Sequence, residues 1–87
     1  TRGSHAHRNL QQCLICVKGH CSVLIDDGNK KEVIALNKPN KGLLIQGLVW
    51  RELFDFSDDA VVVVLASDHY KNTEYIKTYA EFRDALG

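Results

Sequence analysis

The chain has 87 residues, 11 Lys and Arg against 11 Asp and Glu, and a formal net charge of zero. That length builds one domain with a limited core, so residues 1–87 are expected to form a single domain. The balanced charge gives no electrostatic case for nucleic acid or an anionic membrane, and the longest apolar run, residues 60–66, has the length of a strand and not of a transmembrane helix.

In chain order, Thr1-Arg2-Gly3 carries no cap and no turn, as if cut into the middle of a fold, and N-terminal strands are expected to be missing. No secretory leader is visible, so the expected location is cytoplasmic. The next stretch holds His5-Ala6-His7 between Arg2 and Arg8, followed by Gln11 and Gln12. In an extended strand side chains alternate, so His5 and His7 share one face and Ala6 takes the other. Two imidazoles on one face can be part of a metal site, an acid–base pair, or an exposed pair with no role.

Residues 12–17 are apolar and β-branched and read as a strand. Lys18-Gly19-His20 is a turn in which Gly19 supplies positive φ, and residues 21–25 form the expected return strand. Asp26-Asp27-Gly28-Asn29 is a hairpin signal leading into a strand over 32–36. A loop around Pro39 follows, then strands over 43–45 and 49–54 with a turn at Gln46-Gly47. After Ser57-Asp58-Asp59, residues 60–66 read as a strand buried on both faces. Asn72 is the expected cap of a helix with Glu74 in its first turn. Tyr75, Ile76, Tyr79, Phe82 and Leu86 define its apolar stripe. About six short strands with turns between them, then one helix, describe an antiparallel sandwich or barrel.

Cys13, Cys16 and Cys21 are odd in number, which suits a disulfide framework poorly. Cys13 and Cys16 lie three apart on a strand, so their sulfurs diverge. All three read as small buried hydrophobes in a reducing compartment.

His5-x-His7, then Gln12, then Gly19 after six intervening residues resembles the first motif of the cupins, and Gly47-Leu48-Val49-Trp50-Arg51-Glu52 falls where the second belongs. Metal-binding cupins carry a glutamate where this chain has Gln12 and a third histidine near Arg51. A guanidinium is a permanent cation and does not ligate a metal, and two histidines fall short of the usual ligand set. No metal and no other cofactor are therefore expected.

Several segments together resemble one cupin family more closely. They are the Arg2-Gly3-x-His5-Ala6-His7-Arg8 run, the Asp26-Asp27-Gly28 hairpin, Pro39-Asn40-Lys41-Gly42-Leu43, Trp50-Arg51-Glu52-Leu53-x-Asp55-Phe56-Ser57 and Leu65-Ala66-Ser67-Asp68-x-Tyr70. They are similar to the WxcM-like sugar-nucleotide 3,4-ketoisomerases, metal-free cupins acting on dTDP-4-oxo-6-deoxyglucose. The resemblance covers nearly all of the chain. It implies an all-β jelly roll (double-stranded β-helix) with a C-terminal helix, a dTDP-linked sugar substrate, a homodimer, and a role in deoxysugar and surface-polysaccharide synthesis.

It also implies an isomerisation that moves a ketone from C4 to C3 through an enediol. Histidine titrates near working pH and can serve as base and acid in turn. By resemblance His7 is the main base and His5 its partner in proton transfer or in orienting the sugar. Arg2 and Arg51 are candidates for the diphosphate or the enediolate, since a guanidinium grips phosphate through two bonds. For Arg51 the competing reading is an ion pair with Glu52. Gln12 and Tyr70 are candidate sugar contacts, Trp50 reads as a core or wall residue, and His20 and His69 read as turn or surface residues. Three readings compete with the isomerase: a metal-free epimerase, a non-catalytic sugar-binding cupin, and a metal-dependent oxygenase that Gln12 and Arg51 disfavour.

Overall fold

The computed structural model describes residues 2–8, 11–67 and 74–87. Among these, eight strands precede one helix: β1 Arg2–Arg8, β2 Gln12–Lys18, β3 Cys21–Asp26, β4 Lys31–Leu36, β5 Gly42–Ile45, β6 Trp50–Phe54, β7 Val61–Ala66, β8 Glu74–Ile76 and α1 Tyr79–Ala85. A five-stranded sheet in the order β4-β3-β6-β1-β8 faces a three-stranded sheet in the order β5-β2-β7. Every pairing is antiparallel, as the jelly-roll reading requires.

Alternation decides what lies between the sheets. Leu14 and Cys16 of β2 meet Cys21 and Val23 of β3, with Leu36 and Ile45 completing a buried cluster. All three cysteines are free thiols; Cys16 and Cys21 are buried as expected, whereas Cys13, on the opposite face of β2, is only half-buried. Burial, followed by the neighbouring Cys16, pushes the Cys21 thiol up to about 11. A second cluster of Ala6, Trp50, Ile76 and Phe82 lies behind the five-stranded sheet, beneath α1.

The β3–β4 hairpin forms where the acidic turn predicts. Asp26 Oδ1 accepts from the Gly28 amide at 2.8 Å, and Asp27 Oδ1 accepts from the amides of Asn29 and Lys30, both at 2.9 Å. These donors, Asn29 first, hold the Asp27 carboxyl below the usual carboxylate range. Gly28 takes φ of 98°, a conformation that a Cβ disfavours.

Three expectations need correction. Gly19 has the expected positive φ of 68°, but β3 does not return against β2. The turn crosses between sheets, and β3 pairs with β4 and β6. Gly19 packs so closely on Ser57, Asp59 and Ala60 that a Cβ would collide with them.

The strand over residues 60–66 is real but is not buried on both faces. In β7, Val61 is 47% exposed and Leu65 58%, because β7 is an edge strand whose outer face no described element covers.

The helix begins later than its apolar stripe suggests. Glu74–Ile76 pair with β1 as β8, since the free edge of β1 offers backbone partners at Ala6, His7 and Arg8. Thr78 is the N-cap, accepting from the Glu81 amide at 3.2 Å, and Asn72 lies outside the described residues. Of the stripe, Phe82 is fully buried from α1 and Ile76 from β8, while Tyr79 and Leu86 stay partly exposed. No described helix is long and apolar enough to cross a membrane.

Candidate active site

The strand alternation that sends Ala6 back toward α1 sends His5 and His7 forward between the sheets. Their rings meet edge to face, with centroids 4.7 Å apart. His5 stands opposite Arg51 in the β1–β6 pairing, and Arg51 stands opposite Ile25 in the β6–β3 pairing. The register of β1 on β6 slips between Arg2 and His5. Such a bulge re-aims the side chains beyond it. Gln12 comes from the facing sheet, so the cluster draws on both layers of the sandwich.

Arg51 is 1% exposed, and a buried cation needs partners for its N–H groups. Arg51 Nη1 donates to Gln12 Oε1, and Nη2 donates to the Val49 carbonyl at 2.8 Å. Gln12, 3% exposed, is thereby turned with its oxygen on the guanidinium. His7 is fully buried. Burial first, and the Arg51 charge second, lower its pKa from an ordinary 6.5 to about 4. His7 is therefore a neutral imidazole at neutral pH, with a lone pair on one nitrogen.

The structure brings four sequence-predicted residues together: His5, His7, Gln12 and Arg51. Arg2 pairs through its backbone with Leu53, deeper along the strand than the His5–Arg51 row, and its side chain lies outside the described residues. Tyr70 and His69 also lie outside them. The competing reading of Arg51, an ion pair with Glu52, runs against strand geometry. Neighbours on a strand face opposite ways, and Glu52 instead accepts from Trp50 Nε1 at 2.8 Å. Trp50 is a core residue under α1, as read from the sequence, and exposed His20 sits at the turn. The Val49 carbonyl, which helps orient Arg51, left no trace in the sequence because its contribution is backbone.

As a donor set the cluster suits acid–base chemistry better than metal binding. No group of three or more His, Cys, Asp or Glu is placed to hold a metal among the described residues. Gln12 Oε1, which stands where metal-binding cupins carry a glutamate ligand, is engaged by a permanent cation.

Two facing antiparallel sheets with a polar, inward-pointing cluster near one end define the jelly-roll class. The whole chain, residues 1–87, matches the family described as WxcM-like, C-terminal (FdtA), and belongs to that family. TDP-4-oxo-6-deoxy-alpha-D-glucose-3,4-oxoisomerase of Aneurinibacillus thermoaerophilus is 49% identical over 82 residues, which cover 94% of this chain and 59% of that protein. The structure is similar to a histidine-to-asparagine mutant of the 3,4-ketoisomerase QdtA from Thermoanaerobacterium thermosaccharolyticum in complex with TDP-4-keto-6-deoxyglucose. The TM-score is 0.91 at 42% identity, over 97% of this chain and 61% of that one. A 3,4-ketoisomerase from Helicobacter canadensis gives a TM-score of 0.91 at 46% identity, over 98% and 64%. The chain thus spans about three fifths of the length of these relatives.

Proposed function

We propose that the protein isomerises a TDP-linked 4-oxo-6-deoxyhexose to its 3-oxo form, with this chain supplying the acid–base centre. The observation that carries the reading is a neutral, buried His7 in ring contact with His5 and beside the Arg51 charge. Support comes from the 49% identity to the oxoisomerase of Aneurinibacillus thermoaerophilus.

In this reading neutral His7 accepts the proton from C3 of the sugar. The C3–H electron pair becomes the C3–C4 double bond, and the C4 carbonyl oxygen takes up negative charge. Arg51, a fixed positive charge beside His7, is the group assigned in this reading to stabilise that charge. An imidazolium here is both buried and beside a guanidinium and so holds its proton weakly; that proton exchanges with solvent, and a solvent-derived proton is delivered at C4. The C3 hydroxyl gives up its proton as the ketone forms there, and the negatively charged C4 oxygen takes up a proton to become the new hydroxyl. His5, touching His7, orients the ring or relays the hydroxyl proton. Gln12 holds Arg51 and contributes a polar contact toward the sugar. The reaction asks for no redox step. Pairing of two copies is part of the proposal, carried by the family resemblance and checked by sedimentation of the full-length protein.

The test is incubation of the full-length protein with TDP-4-oxo-6-deoxyglucose in deuterated water, followed by NMR. The expected result is a 3-oxo product labelled at C4, lost in His7→Asn. Exchange at C3 or C5 without carbonyl migration moves the assignment to an epimerase. No exchange by folded protein removes the enzyme reading for this substrate and leaves a sugar-binding domain.

A further inference from the structure

Helix α1 packs on residues that alternate along the strands with the four clustered ones. Ala6 lies between His5 and His7, Trp50 precedes Arg51, and Asp26 follows Ile25, which stands opposite Arg51. Ala6 and Trp50 pack against Phe82 in the cluster under the helix. Asp26 is 2% exposed, paired with Trp50 across the strands, and its Oδ2 accepts from the Tyr79 hydroxyl at 2.5 Å. Its Oδ1 accepts from the Gly28 amide at 2.8 Å, so one carboxylate joins the helix to the tip of the β3–β4 hairpin.

Other contacts repeat that connection. Arg83 Nη1 donates to the Gly28 carbonyl at 3.2 Å, and the Leu86 side chain packs on Gly28. Lys31 Nζ sits 5.5 Å from the centre of the Tyr79 ring, which stands edge-on to Trp50. The inner side of the same hairpin borders a crevice of about 180 Å³. Ile25, Asp27, Lys30 and Glu32 line it together with Val49, whose carbonyl holds Arg51.

We propose that α1 clamps this hairpin, and that Asp26 and Tyr79 are positioning residues which hold the crevice wall in register with Arg51. A turn held at its tip only by its Asx bonds and one long backbone bond, Asp27 N–H to the Lys30 carbonyl at 3.3 Å, opens easily. Two hydrogen bonds and an apolar contact from a packed helix raise the cost of that opening. For substrate, this part resting on the isomerase reading above, a fixed wall means less ordering on binding. The clamp therefore acts on binding more than on the chemical step.

The experiment compares the full-length protein with Tyr79→Phe, which keeps the ring and removes the hydroxyl, and with Phe82→Leu as a packing control. Hydrogen exchange at the Gly28, Asn29 and Lys30 amides reads the hairpin directly and does not depend on activity. In Tyr79→Phe these amides are expected to exchange on the order of ten-fold faster, with β2 unchanged. KM is expected to rise several-fold with kcat within about two-fold of wild type. Phe82→Leu is expected to lower Tm while speeding exchange across the whole five-stranded sheet, with no preference for the hairpin. Unchanged exchange at those amides in Tyr79→Phe, or a fall in kcat at constant KM, overturns the clamp. If the wild-type protein isomerises nothing, the functional reading falls, and the exchange data still decide the clamp.

Discussion

Strands β1 and β7 invert each other. The inward positions of β1 are His5 and His7, polar residues that a composition reading assigns to solvent, yet His7 is fully buried. Strand β7 is Val61-Val62-Val63-Val64-Leu65-Ala66, a run that reads as core, yet all but Val62 are exposed in this chain. Hydrophobicity thus fails in opposite directions at the two strands, for different physical reasons. On β1, His7 is buried in ring contact with His5 and beside the Arg51 charge, and that burial sets the titration of an imidazole. On β7, apolarity on both faces encodes a covering that the described residues do not supply.

The contrast implies that changes on β1 alter chemistry while changes on β7 barely register in this chain. The largest effect is expected for His7→Asn in the full-length protein. It should lower kcat by about 10²–10⁴-fold while the circular-dichroism spectrum stays that of wild type.

Next comes the support behind β1. Phe82→Ala removes a fully buried ring from under Ala6 and Trp50 and should cost about 3–5 kcal/mol in urea unfolding. Arg51→Gln ranks third. It deprives Gln12 and Val49 of a donor, at about 1–3 kcal/mol. It also removes the positive charge beside His7, so the His7 pKa should rise from about 4, only part of the way to 6.5, since burial remains the larger cause.

Stability should also follow His7 through pH. Its folded pKa near 4 lies below the ordinary 6.5, so between these values the unfolded chain binds more protons. The contribution is complete above pH 6.5 and is lost as pH falls toward 4. Urea midpoints from pH 7 to 4 should decline, and His7→Asn should flatten that part of the decline. The smallest effect is expected on the outer face of β7. Val63→Thr should change the stability of the 87-residue chain by no more than about 0.5 kcal/mol. A loss of several kcal/mol would mean that this face is covered within the chain and would remove the contrast.

Much of this was legible in the sequence, and the exceptions share a cause. Apolar and β-branched runs between turn signals mark β2 through β7, and the Asx–Gly turn marks the β3–β4 hairpin, because these signals are local. The pairing of His5 with His7 followed from the alternation of side chains along a strand. The burial of Arg51 and its bond to Gln12 did not, since Gln12 and Arg51 are 39 residues apart and meet only across the two sheets. Adjacency suggested Glu52 as its partner, but strand geometry turns neighbours to opposite faces. The start of α1 was misplaced because Tyr75 and Ile76 fit a helical stripe as well as a strand. What decided between them was the open edge of β1, which is tertiary information.

The most direct test of the account is the titration of His7 itself, followed by NMR of ring-labelled histidine in the full-length protein, with His7→Asn assigning the signal. The account predicts a neutral imidazole from pH 8 down to about 5, with a midpoint near 4. A midpoint at or above 6.5 would contradict it, since His7 would then be partly or wholly charged at neutral pH and not poised to accept the sugar proton.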